Sequence, residues 1–265
     1  MLRPFLLSAT LAGLGTFAFA TAACGDDPTS SGDGATGSSH AGGGTSGLLP
    51  TPSTSGGVGS SSGSTFAAAV KQGKATYYDY SGASAVACSF DITSDTDVTA
   101  LPDDDFAGSA ACGACVAVSG PKGTVTVRVV DRCPDCESGH IDLSAQAFAK
   151  IADPTLGHVP ITYQAVECMV TGPMSYRVKE GSSQYWTAIQ VRNHRLPIAK
   201  VEVMKNGAFT DMPRETYNYF VLTSGVGKQP AGLQLRITAI DGQVVTDTIP
   251  GPQEGQTFTG SSQFK

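Results

Sequence analysis

The chain has 265 residues and a mass of 27.1 kDa, which gives room for one large or two small domains. Its 17 Lys/Arg against 23 Asp/Glu leave a formal net charge of −6, and the basic residues form no cluster. This pattern excludes the basic surface that nucleic-acid binding needs, so we expect no nucleic-acid partner.

The N-terminus carries the pattern of an export signal. Arg3 is followed by an apolar run over residues 5–20 and by small residues before Cys24. This is typical of a secretory signal peptide over residues 1–23, and the run is too short and too close to the N-terminus to predict a membrane span. The small residues before Cys24 also resemble a bacterial lipobox, in which that cysteine is acylated. We expect a secreted or cell-surface protein that is lipid-anchored through Cys24, with plain secretion as the alternative.

Composition divides the rest of the chain into three parts. Residues 24–65 are nearly all Ser, Gly, Thr, Pro and Ala, which cannot bury enough surface to offset their ordering entropy, so we expect a disordered tether. Residues 66–171 hold six cysteines and 6 Lys/Arg against 13 Asp/Glu, a net of −7. Residues 172–265 hold no cysteine and 10 Lys/Arg against 7 Asp/Glu, a net of +3. The change in cysteine content and in the sign of the net charge near residue 172 indicates two domains of about 100 residues each.

Both domains are predicted to be mainly β. Apolar β-branched residues alternate with polar ones over residues 124–130, as in a half-buried strand. Ser144 is the expected N-cap of a helix over residues 145–151. In the second domain, alternation over residues 199–204 and 233–238, together with an Asn-Gly and an Asp-Gly hairpin turn, predicts a β-sandwich.

Six cysteines remain after Cys24, and two explanations compete. Two Cys-x2-Cys pairs separated by 17 residues match a zinc-ribbon spacing. However, an exported protein oxidises its thiols, and a zinc site would leave two cysteines without a role. We therefore expect three disulfides, no metal and no cofactor, while the sequence alone permits 15 pairings. The six candidates are Cys88, Cys112, Cys115, Cys133, Cys136 and Cys168.

Two carboxylates lie at predicted element ends, where functional sites are often found. Asp131 ends the apolar run of residues 124–130, and Asp142 precedes the predicted helix. Strand ends and helix starts hold polar groups rigidly at the edge of a cleft. A loop with two cysteines and a proline separates the pair. Asp142 is a candidate acid, although it would alternatively cap the helix, and Asp131 either supports it or satisfies loop amides.

Several motifs follow one another in a specific order. They are residues 73–79, 112–115, 130–134 and 140–144 in the first domain and 176–194 and 217–221 in the second. Together they resemble the expansin family. The first domain resembles the six-stranded double-psi β-barrel of expansins, which is related to small endoglucanases and to some peptidoglycan lytic transglycosylases. The second resembles the carbohydrate-binding domain of bacterial expansins, an immunoglobulin-like β-sandwich.

The resemblance implies a function for the first domain. Thr76, Asp131 and Asp142 match the polar residues of the expansin groove, and Asp142 matches the general acid of the related endoglucanases. Expansins loosen cellulose-containing walls without hydrolysis, which is explained by an acid that lacks its partner base. We therefore expect non-hydrolytic loosening rather than an enzyme. The alternatives are a glycan-cleaving enzyme, either an endoglucanase or a lytic transglycosylase, that uses Asp142, and a surface adhesion module.

Two positions complicate this interpretation. Asp79 lies where the related endoglucanases carry a carboxylate, so it would restore hydrolysis if it faced the groove; otherwise it is a turn residue that binds its own backbone. Cys133 stands where many bacterial expansins have an aromatic residue. The stacking partner in the groove would then be absent, or supplied by Tyr77 or Tyr78.

The second domain is expected to bind glycan through aromatic side chains. If Ile189 and Val191 face inward, alternation places Trp186, the sole tryptophan, on the outward side with Gln190 and Arg192. The same counting places Tyr217 outward, whereas Tyr185 is outward only if the strand begins after it. Lys179 is a candidate polar contact. An exposed ring stacks on the apolar face of a sugar.

The expected partner is cell-wall polysaccharide. Cellulose is the first candidate, with xyloglucan, pectin or peptidoglycan as further ones, and the modest positive charge of the second domain suits the anionic polymers. Contact with a membrane is expected only through the lipid anchor, and we expect a monomer.

Overall fold

The computed structural model describes residues 48–49 and 68–265. The predicted signal peptide, Cys24 and nearly all of the predicted tether lie outside these residues. Leu48 is an exception within the tether, because it is 2 % exposed and packs with the core of the first domain. Leu48 and Leu49 are an apolar pair in a Ser/Gly-rich segment, which explains why this point makes contact. In the described part of the chain, no helix has the length and apolarity to cross a membrane.

The first domain is a closed barrel of six strands in the order β1-β5-β2-β4-β3-β6. Strands β1 and β5 pair in parallel, as do β2 and β4, and the remaining pairs are antiparallel. The predicted strand lies within β4, where Val125, Val127 and Val129 point into the core. The elements are β1 (Lys71–Tyr78), β2 (Val98–Leu101), α1 (Asp103–Phe106), a 3₁₀ turn (Ala107–Ser109), β3 (Cys115–Gly120), β4 (Gly123–Arg132), β5 (His140–Ser144), α2 (Ala145–Ile151), a second 3₁₀ turn (Pro154–Leu156) and β6 (Val159–Val166).

Helix α2 begins where the sequence predicts it. The Ser144 hydroxyl accepts a hydrogen bond from the Ala147 backbone N–H at 3.0 Å, so Ser144 is the N-cap. Phe148 and Ile151 are fully buried against the barrel. Because Ser144 provides the cap, the nearby Asp142 carboxylate is left for other contacts.

The second domain is a sandwich of two four-stranded sheets. One sheet has the order β10-β9-β12-β13, and the other has the order β11-β8-β7-β14. The apolar residues that alternate along β9 and β12 lie in the core between the sheets. The strands are β7 (Ser175–Val178), β8 (Thr187–Arg192), β9 (Ile198–Lys205), β10 (Ala208–Asp211), β11 (Phe220–Leu222), β12 (Leu233–Ala239), β13 (Val244–Ile249) and β14 (Thr257–Thr259).

All six candidate cysteines form disulfides, as expected. The pairs are Cys88–Cys112, Cys115–Cys168 and Cys133–Cys136. The zinc-ribbon interpretation is therefore wrong, because its two Cys-x2-Cys pairs are divided among three different cystines. The first two bridges are buried, whereas the Cys133–Cys136 bridge is partly exposed.

Hydrogen bonds join the barrel to the sandwich. The Gln190 side-chain amide on β8 donates to the Cys88 carbonyl at 2.8 Å, and the Asn218 amide donates to the same oxygen at 3.2 Å. Arg192 forms an ion pair with Asp91 at 2.7 Å. These contacts correct the strand prediction, because Gln190 was placed on the solvent side of β8 and instead has no exposed surface. Alternation assigns a face to each side chain, but it does not reveal that another domain covers that face.

Candidate functional site

The register of the barrel brings Thr76 and Asp142 together. They are direct partners across the parallel pair β1 and β5. The Thr76 hydroxyl donates to Asp142 Oδ1 at 2.5 Å and lies 2.7 Å from His140 Nε2. A hydroxyl has one proton, so when that proton goes to Asp142 the Thr76 oxygen accepts from a protonated Nε2 of His140. The three side chains therefore form one hydrogen-bonded chain.

Burial makes Asp142 a weaker acid than an ordinary aspartate. Partial removal from water is the largest influence and raises the pKa of the carboxyl, and the nearby charge of Asp131 raises it further. The hydrogen bond from Thr76 and the proximity of His140 act in the opposite direction but are smaller. The pKa of His140 is lowered, first by burial and then by Lys74. The net result is a carboxyl group that keeps its proton to a higher pH.

Asp131 lies close to Asp142 without a direct bond to it. Its Oδ1 accepts from the backbone N–H of Ala87 at 2.8 Å and of Arg132 at 2.9 Å. Asp131 therefore satisfies loop amides, one of the two roles considered for it. Its charge nevertheless acts on Asp142 and raises the pKa of the Tyr78 phenol.

The Tyr78 hydroxyl is buried and unpartnered. Within residues 48–49 and 68–265 it is the one buried side-chain polar atom that lacks a hydrogen-bond partner. Burial is the main cause of its strongly raised pKa, followed by the charges of Asp131 and Asp142. An unsatisfied buried hydroxyl costs about 1–3 kcal/mol. Tyr77 points elsewhere: its ring packs on Phe148 with 4.9 Å between centroids.

The Cys133–Cys136 disulfide lies beside Asp142. Both sulfur atoms and one Asp142 carboxylate oxygen lie within 4.8 Å of one another. Because the sulfurs are bonded to each other, they have no thiolate to offer a metal ion in this state. A disulfide thus lies at position 133, where the resemblance had suggested an aromatic stacking partner. We call these residues, Thr76, Tyr78, Asp131, His140, Asp142 and the Cys133–Cys136 bridge, the Asp142 site.

Asp79 forms the contact of a turn residue. It follows β1, its side chain is exposed, and its Oδ1 accepts from the Gly82 backbone N–H at 3.0 Å. In the described part of the chain, no hydrogen bond or charge interaction joins Asp79 to Asp142. The geometry thus matches the turn role that was the alternative to a catalytic one.

A second set of side chains forms an aromatic face on the sandwich. Trp186 and Tyr217 pack against a small cluster that includes buried Tyr219. The Lys179 ammonium lies 6.0 Å from the centroid of the Tyr217 ring and 5.6 Å from that of Tyr219. Trp186 and Tyr217 are both partly exposed. We call Trp186, Tyr217, Tyr219 and Lys179 the aromatic face.

Tyr185 is exposed and directly precedes Trp186 in the chain. Strand β8 begins at Thr187, so the strand phase that would have pointed Tyr185 inward does not apply to it. The side chain is 75 % exposed.

Sequence reasoning missed His140 as part of the Asp142 site. A signal was present, because residues two apart on a strand share a face and His140 precedes Asp142 by two positions on β5. Tyr219 was also missed, since a buried tyrosine against which Trp186 and Tyr217 pack has no distinctive sequence pattern.

Comparisons with known proteins agree with this architecture. A family model described as lytic transglycolase matches residues 70–163, and one described as expansin-like protein middle domain matches residues 166–265. Expansin-YoaJ of Bacillus subtilis is 42 % identical over 204 residues, which are 73 % of this chain and 86 % of the relative. Expansin-like protein 1 of Dictyostelium discoideum is 33 % identical over 162 residues, which are 58 % of this chain and 56 % of the relative.

Solved structures lead to the same family. The crystal structure of the apo expansin of Clavibacter michiganensis has a TM-score of 0.68 and 34 % identity, and the match covers 74 % of this chain and 98 % of that one. A mutant of that expansin in complex with cellohexaose matches with the same TM-score at 33 % identity. The chain belongs to the expansin family.

Proposed function

We propose that this expansin loosens polysaccharide cell-wall material without cutting it, and that it binds cellulose-like glycans while doing so. The observation that carries the proposal is the environment of Asp142: a carboxyl with a raised pKa, held by Thr76, while the two carboxylates considered as its partner base each accept hydrogen bonds from backbone N–H groups. Hydrolysis by inversion needs an acid and a base on opposite sides of the bond, with room for a water. Asp131 is engaged by two backbone amides and Asp79 by its own turn.

The proposed physical step is competition for hydrogen bonds. Asp142, when protonated, donates a hydrogen bond to a glycan oxygen. A hydrogen bond of this kind between protein and glycan replaces one between adjacent polysaccharide chains. Because no covalent bond breaks, the proton on Asp142 is shared and returned rather than consumed.

The aromatic face is proposed to hold the protein on its substrate. A pyranose ring presents an apolar face that matches the partly exposed rings of Trp186 and Tyr217, and Lys179 adds a cation at their edge. The bonds from Gln190 and Asn218 to Cys88 fix the sandwich against the barrel, so that binding at the aromatic face holds the Asp142 site near the same polymer. The polymer is proposed to be cellulose first, with xyloglucan, pectin or peptidoglycan as further targets.

The proposal also includes an extracellular location. Export through the predicted signal peptide and anchoring through Cys24 remain predictions, as does the monomeric state. They are consistent with three disulfides, which persist where thiols are oxidised.

The direct test compares Asp142→Asn with the unmodified chain on filter paper. We expect normal binding to the paper and loss of mechanical weakening, because an amide is a poorer donor than a carboxylic acid and cannot release its proton. That result would exclude the adhesion alternative, in which the barrel is only a spacer, whereas weakening that persists unchanged in Asp142→Asn would overturn the role of Asp142.

A glycan-cleaving enzyme is the second candidate. The match of residues 70–163 to a model described as lytic transglycolase favours it, together with the raised pKa of Asp142. Incubation with purified peptidoglycan and with cellulose distinguishes the two. Anhydro-muropeptides from peptidoglycan, or new reducing ends from cellulose, that form with the unmodified chain and not with Asp142→Asn would establish the enzyme, and the absence of both at long incubation would remove it.

A further inference from the structure

The Cys133–Cys136 bridge differs from the other two disulfides in its exposure. Both of its cysteines are partly exposed, whereas the four cysteines of the other bridges are buried. Exposed disulfides are the ones that reductants reach and that open and close reversibly. The Cys133–Cys136 bridge is therefore expected to open first when a reductant is present.

The fold depends least on this bridge. Its cysteines are 3 positions apart, against 24 and 53 positions in the other two bridges. A disulfide stabilises the fold by restricting the unfolded chain, and the restriction grows with the length of the loop that the bond closes. Opening the shortest loop thus costs the barrel the least stability.

Backbone hydrogen bonds hold the two cysteines independently of the bridge. The Cys133 N–H donates to the carbonyl of Leu101, the last residue of β2, at 2.8 Å. The Cys136 N–H donates to the Cys133 carbonyl at 3.2 Å, which closes a turn. Because these bonds do not involve sulfur, a reduced pair of thiols stays beside Asp142.

The three donor atoms at this point suit a zinc ion. Both sulfur atoms and one Asp142 carboxylate oxygen lie within 4.8 Å of one another. Zinc binds thiolate at about 2.3 Å and carboxylate oxygen at about 2.0–2.2 Å, so a tetrahedral ion sets its ligands about 3.5–3.8 Å apart. Once the bond between the sulfurs is broken, rotation of the two side chains separates them to that distance. The Cys-x2-Cys spacing is also the one that zinc sites use.

The charge of the surrounding segment attracts a cation. Residues 131–142 hold four Asp/Glu and one Arg, a formal net of −3. A field of this sign raises the local concentration of a divalent cation. Within residues 48–49 and 68–265, no other group of three His, Cys, Asp or Glu donor atoms lies close enough together to hold a metal ion.

We propose that reduction of the Cys133–Cys136 bridge creates a zinc site, in which Cys133, Cys136 and Asp142 are the protein ligands and water takes the fourth position. A dithiol reductant gives two electrons and two protons to the bridge and becomes a disulfide itself. Each new thiol loses its proton as Zn²⁺ binds. This site is not the zinc ribbon considered from the sequence, because it uses one Cys-x2-Cys pair and forms only in the reduced chain.

Zinc at this site occupies the Asp142 carboxylate. The ion then removes the hydrogen-bond donor on which wall loosening depends, a consequence that rests on the proposed function. Oxidation closes the site, because the rebuilt bridge has no thiolate to offer. The bridge thus keeps Asp142 available to glycan in oxidising surroundings, and reduction in the presence of zinc blocks it.

The test uses the full chain, with Co²⁺ as the spectroscopic substitute for zinc. Dithiothreitol reduces the chain, mass spectrometry after alkylation locates the new thiols, and the reductant is removed without air. New thiols are expected at Cys133 and Cys136 alone. One Co²⁺ per chain is then expected to give thiolate-to-cobalt charge-transfer absorption, which one equivalent of Zn²⁺ abolishes. The oxidised chain is expected to show no such absorption.

Two variants test the third ligand. Asp142→Asn is expected to weaken Zn²⁺ binding by roughly tenfold or more, because loss of even an outer-shell partner of a metal ligand costs about 10–100-fold in affinity. Asp135→Asn is the matched control, since it removes an exposed carboxylate of the same loop that lies outside the donor cluster, and it should leave the affinity unchanged.

The outcomes separate this inference from the proposed function. Simultaneous reduction of all three bridges, or a reduced chain without thiolate-to-cobalt absorption, would overturn the site. Equal Zn²⁺ affinity of Asp142→Asn and the unmodified chain would overturn Asp142 as a ligand. If Asp142 proves to be a ligand and the zinc-loaded chain still weakens filter paper, the zinc site stands and the role of Asp142 in loosening falls.

Discussion

The Thr76 hydroxyl donates a hydrogen bond of 2.5 Å to Asp142 across two parallel strands, although the residues are 66 positions apart in the chain. Closure of the barrel creates this contact, and the same closure partly buries the carboxyl. The two effects oppose each other, because the hydrogen bond lowers the pKa of Asp142 and burial raises it, with burial the larger. The carboxyl is thus oriented by Thr76, and its surroundings raise its pKa.

The first prediction concerns the hydrogen bond from Thr76, which lowers the pKa of Asp142. In Thr76→Val the pKa of Asp142 is expected to rise further, since the carboxylate loses the donor that stabilises its charged form. Titration of the side-chain carboxyl carbon by NMR measures the change. Thr126→Val, at an exposed position on β4, is the control and leaves the pKa unchanged. An unchanged or lower pKa in Thr76→Val contradicts the account of how Thr76 acts.

The second prediction concerns stability against pH. The folded-state pKa of Asp142 is raised above its unfolded value, so the folded state binds more protons and stability falls as pH rises between the two values. Above that window the chain bears the whole cost of burying the ionised carboxyl. Asp142→Asn is therefore expected to be more stable than the unmodified chain at neutral pH, and the difference is expected to shrink in acid.

Urea unfolding at several pH values measures this difference. Asp153→Asn is a useful comparison, because its exposed carboxyl has a lowered pKa and its removal should shift stability in the opposite direction. If the free energy of unfolding of Asp142→Asn differs from that of the unmodified chain by the same amount at every pH, the Asp142 carboxyl does not titrate as described.

The third prediction tests the aromatic face. Trp186→Ala is expected to weaken cellulose binding roughly tenfold, since withdrawing about 60 Å² of apolar surface from water contributes about 1.5 kcal/mol. Binding isotherms on microcrystalline cellulose measure it. Met169→Ala removes a more fully exposed apolar side chain outside the face and should leave binding unchanged. Undiminished binding by Trp186→Ala would refute the placement of the face.

The fourth prediction concerns the contact between the domains. Gln190→Leu removes the amide that donates to the Cys88 carbonyl and accepts from Arg192, and it leaves buried polar groups with fewer partners. The free energy of unfolding is expected to fall by about 1–3 kcal/mol. Gln146→Leu, on the exposed side of α2, should change it little. Equal stability of both variants would mean that the interface bonds contribute nothing.

Local sequence patterns predicted the parts of the fold that depend on neighbours along the chain. Alternation located β4 and β12, and Ser144 marked the start of α2 because capping is a local hydrogen bond. Asp131 lies next to the end of β4 as the sequence indicated, whereas Asp142, which was expected just before the helix, lies in the middle of β5.

Other features depend on residues far apart and left no local trace. Nothing along the chain selects Cys115–Cys168, whose cysteines are 53 positions apart, from the 15 allowed pairings. Burial of Gln190 by the barrel follows from a contact with Cys88, about 100 positions away. The turn contact of Asp79 was foreseen as an alternative, but only coordinates place its carboxylate on the Gly82 amide.

The most direct measurement of the central claim uses a single sheet of filter paper. The sheet is treated with the unmodified chain, its tensile strength is recorded, and reducing ends are then counted in both the paper and the surrounding solution. The account predicts a weakened sheet with no more reducing ends than a sheet treated with Asp142→Asn. Reducing ends that accumulate in proportion to the loss of strength would contradict it and would make this expansin a hydrolase.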